Sequence, residues 1–158
     1  MLTLRFANEV DECELQPLYE KLQTSLTLAS LVLAAWQLGL WFARKLVEQQ
    51  LQERAQAPQV WSNCATCGSR LERKGFVQRR MLTLVGWVEW RRGVGRCPNR
   101  CAGSHSTPFD AVLGITAYQH TSVELVRLSC LLAVFLPFEI AAYLLMQLCG
   151  IRISDDSV

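Results

Sequence analysis

Strong net charge is missing from this sequence: 16 Lys and Arg stand against 14 Asp and Glu in 158 residues, a formal charge of +2. A chromatin-type basic protein is excluded on that total. Low complexity is missing too. With 51% hydrophobic and 19% charged residues, the chain is neither a disordered tail, a collagenous repeat nor a linker. No internal repeat is visible. A cleavable secretory signal is expected to be absent, because Glu9, Asp11, Glu12, Glu14 and Glu20 outnumber Arg5 at the amino end, where a signal needs a positive segment. The expected compartment is therefore the reducing cytoplasm, where disulfides are disfavoured. The length fits one domain or two small units.

What is present is unevenly placed. Between residues 70 and 100 lie nine basic side chains opposed only by Glu72 and Glu89, a local charge of +7, whereas the remainder sums to −5. Such asymmetry fits a basic face for a polyanion, or a pair of strands with ordinary solvated arginines. Leu22 to Ala43 carries no charge over 22 residues, and Arg44 and Lys45 follow it. That is long enough to cross a bilayer. Against spanning, Leu22, Leu26, Ala29, Leu33, Trp36, Leu40, Ala43 and Val47 alternate steps of four and three, the seam of a buried or self-associating helix.

The pattern along the chain predicts an α+β protein: a long N-terminal helix, a small β-hairpin zinc ribbon and a C-terminal helical pair. Residues 1–57 form an acidic lead, with a short strand at Leu2 to Phe6, and a helix from about Glu14 to Arg54 with Pro17 in its first turn. Residues 58–118 form the ribbon, with strands over Val77 to Val85 and Trp87 to Arg96 and Gly86 at the turn, followed by an irregular connection over 102–120. Residues 119–158 hold two helices. The first opens on a Thr121-x-x-Glu124 capping box and stops before Pro137; the second runs from Phe138 to Cys149, ended by Gly150.

Seven cysteines are the strongest signal. Cys64 and Cys67 are separated by two residues, Cys97 and Cys101 by three, and 29 residues lie between the pairs. Two such turns can wrap one ion and supply four thiolates, the set zinc prefers. An iron–sulfur cluster also accepts four thiolates; disulfides or unliganded thiols are the alternative. The site would be structural, since four thiolates leave no open position for a reacting water. His105, four residues after Cys101, could replace a ligand; His120 has no partner spacing. Cys130 and Cys149 read as core residues. Arg79, Arg80, Arg91, Arg92 and Arg96 are the candidates for phosphate contacts, because guanidinium forks match phosphate oxygens. Trp61, Phe76, Trp87 and Trp90 are interleaved with them. Trp87, Glu89 and Arg91 share one strand face, and Val88, Trp90 and Arg92 the other, so aromatics stand on both faces and at least two of the four should pack on helices.

The motifs Cys64-Ala-Thr-Cys67-Gly68, Arg80-Met-Leu-Thr-Leu-Val-Gly86-Trp-Val-Glu-Trp-Arg91, Cys97 and Cys101, Pro108-Phe-Asp110 and Leu113-Gly114-Ile115 occur in that order. Leu136-Pro-Phe-Glu139-Ile-Ala-Ala and Cys149-Gly150-Ile-Arg-Ile-Ser154 follow. Over roughly residues 60 to 158 the chain resembles the amino-terminal half of the ISKra type of bacterial insertion-sequence transposase. The resemblance implies a zinc-binding, DNA-binding region in front of an RNase H-like domain that uses two divalent metals. It also implies a helix-turn-helix whose reading helix would begin at Ser154, with Asp155 and Asp156 in its first turn. The sequence ends at Val158, so the expectation is a non-catalytic module: a truncated remnant, the first frame of a split gene, or a domain kept for binding transposon ends. It could self-associate through Leu22–Val47. The alternatives are a zinc-ribbon adaptor that docks on a protein, and a membrane-attached zinc-ribbon protein.

Overall fold

The computed structural model describes residues 9–152, with side chains from residue 12. The strand expected at Leu2 to Phe6 and the helix start at Ser154 lie outside them. The architecture is α+β: helices α1 (Glu9–Gln23) and α2 (Leu28–Gln56), strands β1 (Glu72–Thr83), β2 (Gly86–Arg96) and β3 (His105–Ser106), then helices α3 (Pro108–Val112), α4 (Val123–Phe135) and α5 (Phe138–Cys149).

The expected single helix is two. Hydroxyls do the breaking: Thr24 Oγ1 and Ser25 Oγ donate to the carbonyls of Glu20 and Lys21 at 2.9 and 2.7 Å. Thr27 then caps a new helix, its Oγ1 accepting from Ser30 N while Ser30 Oγ accepts from Thr27 N, a reciprocal cap that satisfies two otherwise unpaired donors. The first helix also starts earlier than expected, at Glu9, so Pro17 sits inside α1 and not in a first turn. The two helices fold back antiparallel. Glu14 accepts from Trp41 Nε1 at 3.1 Å and pairs with Arg44 and Lys45, while Lys21 donates to Gln37. The expected seam is also displaced. Leu26 is 97% exposed and Leu33, Trp36 and Val47 face solvent, whereas α2 buries Ala34, Trp41 and Ala55. A seven-residue spacing is kept, one residue further along than Leu33 and Leu40, a rotation of about 100° around the helix. Among the described residues no helix is long and apolar enough to cross a membrane.

β1 and β2 form the expected hairpin, from Thr83↔Gly86 at the turn to Glu72↔Arg96 at the open end. Gly86 has φ +100°, a conformation open to glycine. β3 adds to β2 at Gly95 and Arg96, within the stretch expected to be irregular, which also contains α3. Both ribbon edges are covered near the turn. On one side α2 lends side chains, with Glu48 and Gln52 accepting from the backbone of Glu89 and Arg91 at 3.1 and 2.9 Å. On the other, Leu82 N donates to His120 O and Ser122 N to Leu82 O, both at 2.8 Å. Exposed edges invite pairing with other chains, and these contacts block it.

Two apolar clusters anchor this end. Met81, Val88 and Trp90 pack with Ala55 of α2 and Phe109 of α3. Leu125, Leu145 and Ile151 bury against each other, with Leu82 and Leu84 of the ribbon beside them; each fully buried Leu or Ile contributes about 1.5–3 kcal/mol. The cap of α4 is Ser122, whose Oγ accepts from Leu125 N, in place of Thr121, which bridges to β1 at Leu82. Gly150 ends α5 in the left-handed conformation, and Trp36 Nε1 reaches from α2 to Leu148 O at 2.6 Å.

The ribbon is tied to α3 by an ion pair between Arg92 and Asp110, side chains only 13% and 7% exposed. Burial, with the neighbouring Arg79 charge, pushes the Arg92 pKa down, so Asp110 is what keeps that charge tolerable. Removing one partner of a buried pair typically costs about 3–5 kcal/mol, whereas replacing both with apolar groups can be neutral. Asp110→Ala should therefore lower the unfolding free energy by about 3–5 kcal/mol in a denaturant titration. Arg92→Met combined with Asp110→Leu should recover most of that loss.

Candidate metal centre

The hairpin register builds the site. Cys67 lies five residues before the start of β1, and Cys97 follows the last residue of β2. Because Glu72 pairs with Arg96, the strands bring both cysteine turns to the same end. The 29 intervening residues collapse to a Cys67 Sγ to Cys97 Sγ distance of 3.3 Å. All four sulfurs of Cys64, Cys67, Cys97 and Cys101 lie within 4.8 Å of one another. A tetrahedral ion with metal–sulfur bonds near 2.3 Å needs sulfurs about 3.8 Å apart. The cluster therefore fits one ion and leaves no room for a multi-iron cluster.

Each turn is shaped for anionic sulfur. In the first, Gly68 N closes onto Cys64 O at 2.9 Å and Cys64 N donates to Ser69 O at 2.8 Å. The backbone amides of Cys67 and Thr66 point at Cys64 Sγ and pull its pKa down. In the second, Arg100 N closes onto Cys97 O at 3.0 Å, and Arg100 takes φ +57°. The extra residue of the longer spacing is absorbed by this left-handed turn. Ser104 Oγ accepts from Cys97 N and donates to Cys101 O, fixing the second pair. Leu71 and Trp61 pack beside Cys64 and Cys97. The Trp61 ring lies directly over Gly95, where a Cβ would come within 2.5 Å of it.

The four thiols differ in acidity. The Ser69 hydroxyl and amide and the Asn99 side chain donate to Cys67 and bring it down to about 5. Cys101 is pushed up to about 12, first by its hydrogen bond to Cys67, then by burial and the other thiols. Burial raises Cys97 as well. Cys64 and Cys67 are made more acidic while Cys97 and Cys101 resist ionising, so further negative charge in the same space is resisted until a cation balances it. Four sulfurs leave no open coordination position, so the centre can hold structure together and cannot bind a reacting water.

His105 lies on β3, outside the sulfur cluster. Of the remaining cysteines, Cys149 packs into a core, but Cys130, expected there too, is exposed on α4. The five arginines part company. Arg80 stays outside, 3.1 Å from Glu89 and stacked 4.1 Å over the Trp87 ring. Arg91 and Arg96 are exposed. Arg79 turns to the carbonyls of Gln119 and Thr116, and Arg92 turns inward to Asp110. Arg92 is thereby withdrawn from solvent, and Arg79 is partly exposed with its guanidinium engaged. The alternation already placed Arg92 on the face of Val88 and Trp90, both buried. Of the four aromatics, Trp90 is buried and Trp61 covers β2, while Phe76 and Trp87 are each 40% exposed. Arg73, not singled out in the sequence, stacks 5.1 Å over Phe76.

No family model matches this chain, and no curated protein matches it.

Thiolate is the form that alkylates. In protein stripped of metal by a chelator, iodoacetamide should label all four cysteines, read by peptide mass spectrometry. Unchanged protection of the four after metal removal would contradict the metal centre. Bound metal should protect all four cysteines and leave the exposed Cys13 and Cys130 reactive.

Proposed function

We propose that this chain is a non-catalytic DNA-binding module of the insertion-sequence transposase kind, in which a structural zinc ion on Cys64, Cys67, Cys97 and Cys101 holds an arginine-bearing ribbon. The observation that carries this reading is the outward ribbon face. There Arg80 lies over Trp87 and Arg73 over Phe76, with Arg91 exposed between them. Guanidinium groups beside exposed rings suit phosphate contact with stacking on sugars or bases. Zinc is favoured by four thiolates around one ion. The motif resemblance supports the transposase assignment and gives transposon ends as the DNA. The only acidic group of the Pro108-Phe-Asp110 motif is engaged by Arg92, which supports a binding role over phosphoryl transfer.

Self-association belongs to the same reading. Leu28, Leu31 and Val32 are exposed at the uncharged start of α2. An apolar, charge-free helix face is covered best by a second such face, and a transposase module working on two DNA ends needs pairing. The face differs from the seam expected in sequence, since α2 turns Trp41 and Ala34 inward.

The test is a labelled duplex titrated at 50 and 200 mM salt. Each phosphate contact contributes a slope of about −0.9 in log K against log salt, so affinity should fall steeply between the two. Arg80→Gln with Arg91→Gln should weaken binding roughly tenfold at low salt, about 1.4 kcal/mol. No binding of wild type at low salt would end the DNA reading. Nuclease-insensitive capture of a protein partner would then favour the adaptor.

A further inference from the structure

A groove of about 620 Å³ opens beside the second cysteine turn, lined by Lys74, Arg96, Arg100 and His105 together with the chain from Cys97 to Ser104. We propose that this groove is a seat for a phosphate oxyanion, occupied in use by a phosphodiester of bound nucleic acid. The choice of a phosphodiester rests on the DNA-binding reading; the oxyanion chemistry of the groove does not.

Three features converge on it from separate elements. Lys74 arrives through a bulge: the β1–β2 register shifts between Arg73 and Gly75, and a bulge re-aims the residue it contains. Arg96 and His105 are direct cross-strand partners where β3 joins β2. Arg100 sits on the turn itself at φ +57°, a conformation that resists a side chain. The left-handed residue of the first cysteine turn is Gly68, at φ +71°, one position beyond Cys67, whereas Arg100 lies one position before Cys101. A glycine would have served the second turn equally well, and a guanidinium stands there instead. Strained non-glycine backbone of this kind points to function.

The charge balance also favours an anion. Lys74 Nζ pairs with Glu72 at 3.2 Å across exposed side chains. Among the described residues no carboxylate pairs with Arg96 or Arg100, and no acidic side chain lines the groove. Two forks and an ammonium around one concavity match the oxygens of a phosphate. The groove is separate from the Arg80–Trp87 face, so it would fix a second point of the backbone and with it the orientation of the ribbon.

The experiment compares metal-loaded wild type with Arg96→Gln/Arg100→Gln. Glutamine keeps the backbone demand at position 100 and removes only charge. Inorganic phosphate is titrated while the amide resonances of Gly103 and His105 are followed, and duplex binding is measured against salt. Saturable shifts in wild type, lost in the double variant, are expected. So is a duplex affinity at least tenfold weaker, with the salt slope reduced by about 0.9, the value for one phosphate. Arg100→Lys should keep most of the binding. If phosphate fills the groove and wild type binds no duplex, the oxyanion seat stands with free phosphate as its source and the DNA reading falls. If wild type binds duplex but the double variant matches it in affinity and slope, and phosphate leaves Gly103 and His105 unmoved, the groove proposal falls alone. Loss of metal in the double variant with unchanged phosphate and duplex binding also overturns it, because the arginines then serve only to balance the thiolates.

Discussion

Four sulfurs at the open end of one β-hairpin govern this protein. At the turn end, the ribbon is held by Met81, Val88 and Trp90 against α2 and α3, by Leu82 and Leu84 against the C-terminal helices, and by hydrogen bonds along both edges. At the other end the support is thinner: β3 pairs at Gly95 and Arg96, and the Trp61 ring lies over Gly95. β1 is exposed from Glu72 to Gln78, and a strand with neither face covered has little to hold it. What ties Glu72 to Arg96 from outside is the pair of cysteine turns. Their thiols comprise two made more acidic and two made reluctant to ionise. A metal ion held there would turn that crowding into four bonds, so that metal binding and ordering of the exposed half of the ribbon would become one event.

This division has a functional consequence. The supported end converts charge into structure: Arg92 is buried with Asp110, and Arg79 is fastened to the carbonyls that precede α4. Charge stays outside on Arg73, Lys74, Arg80, Arg91, Arg96 and Arg100. The +7 seen in the sequence is therefore sorted chiefly by which face of the ribbon each residue occupies. A guanidinium stacked on an exposed ring loses little hydration in waiting and keeps its donors free at the edge.

The cysteine centre was legible because its signal is local: two short spacings and a hairpin-forming stretch between them. The hairpin was legible from alternation and Gly86. The first helix misled because hydrophobic period says nothing of hydroxyls that bond the backbone: Ser25 Oγ takes the Lys21 carbonyl, and Thr27 Oγ1 caps the next helix by accepting from Ser30 N. The seam slipped by one residue because α2 must place Ala55 under the ribbon and offer Glu48 and Gln52 to its edge, demands that come from distant residues. Arg92 could have been read as inward from its companions Val88 and Trp90, but its partner Asp110, 18 positions on, gives no local sign. The groove depends on a bulge at Lys74, for which Gly75, with φ +154°, was the available cue.

Metal-edge X-ray absorption on the purified protein, joined to elemental analysis, probes the central claim most directly. The account requires about one zinc per chain, bound by four sulfurs near 2.3 Å with no nitrogen or oxygen neighbour. A protein that folds to the same ribbon with no metal, or one whose ion is held by fewer than four sulfurs, would contradict it.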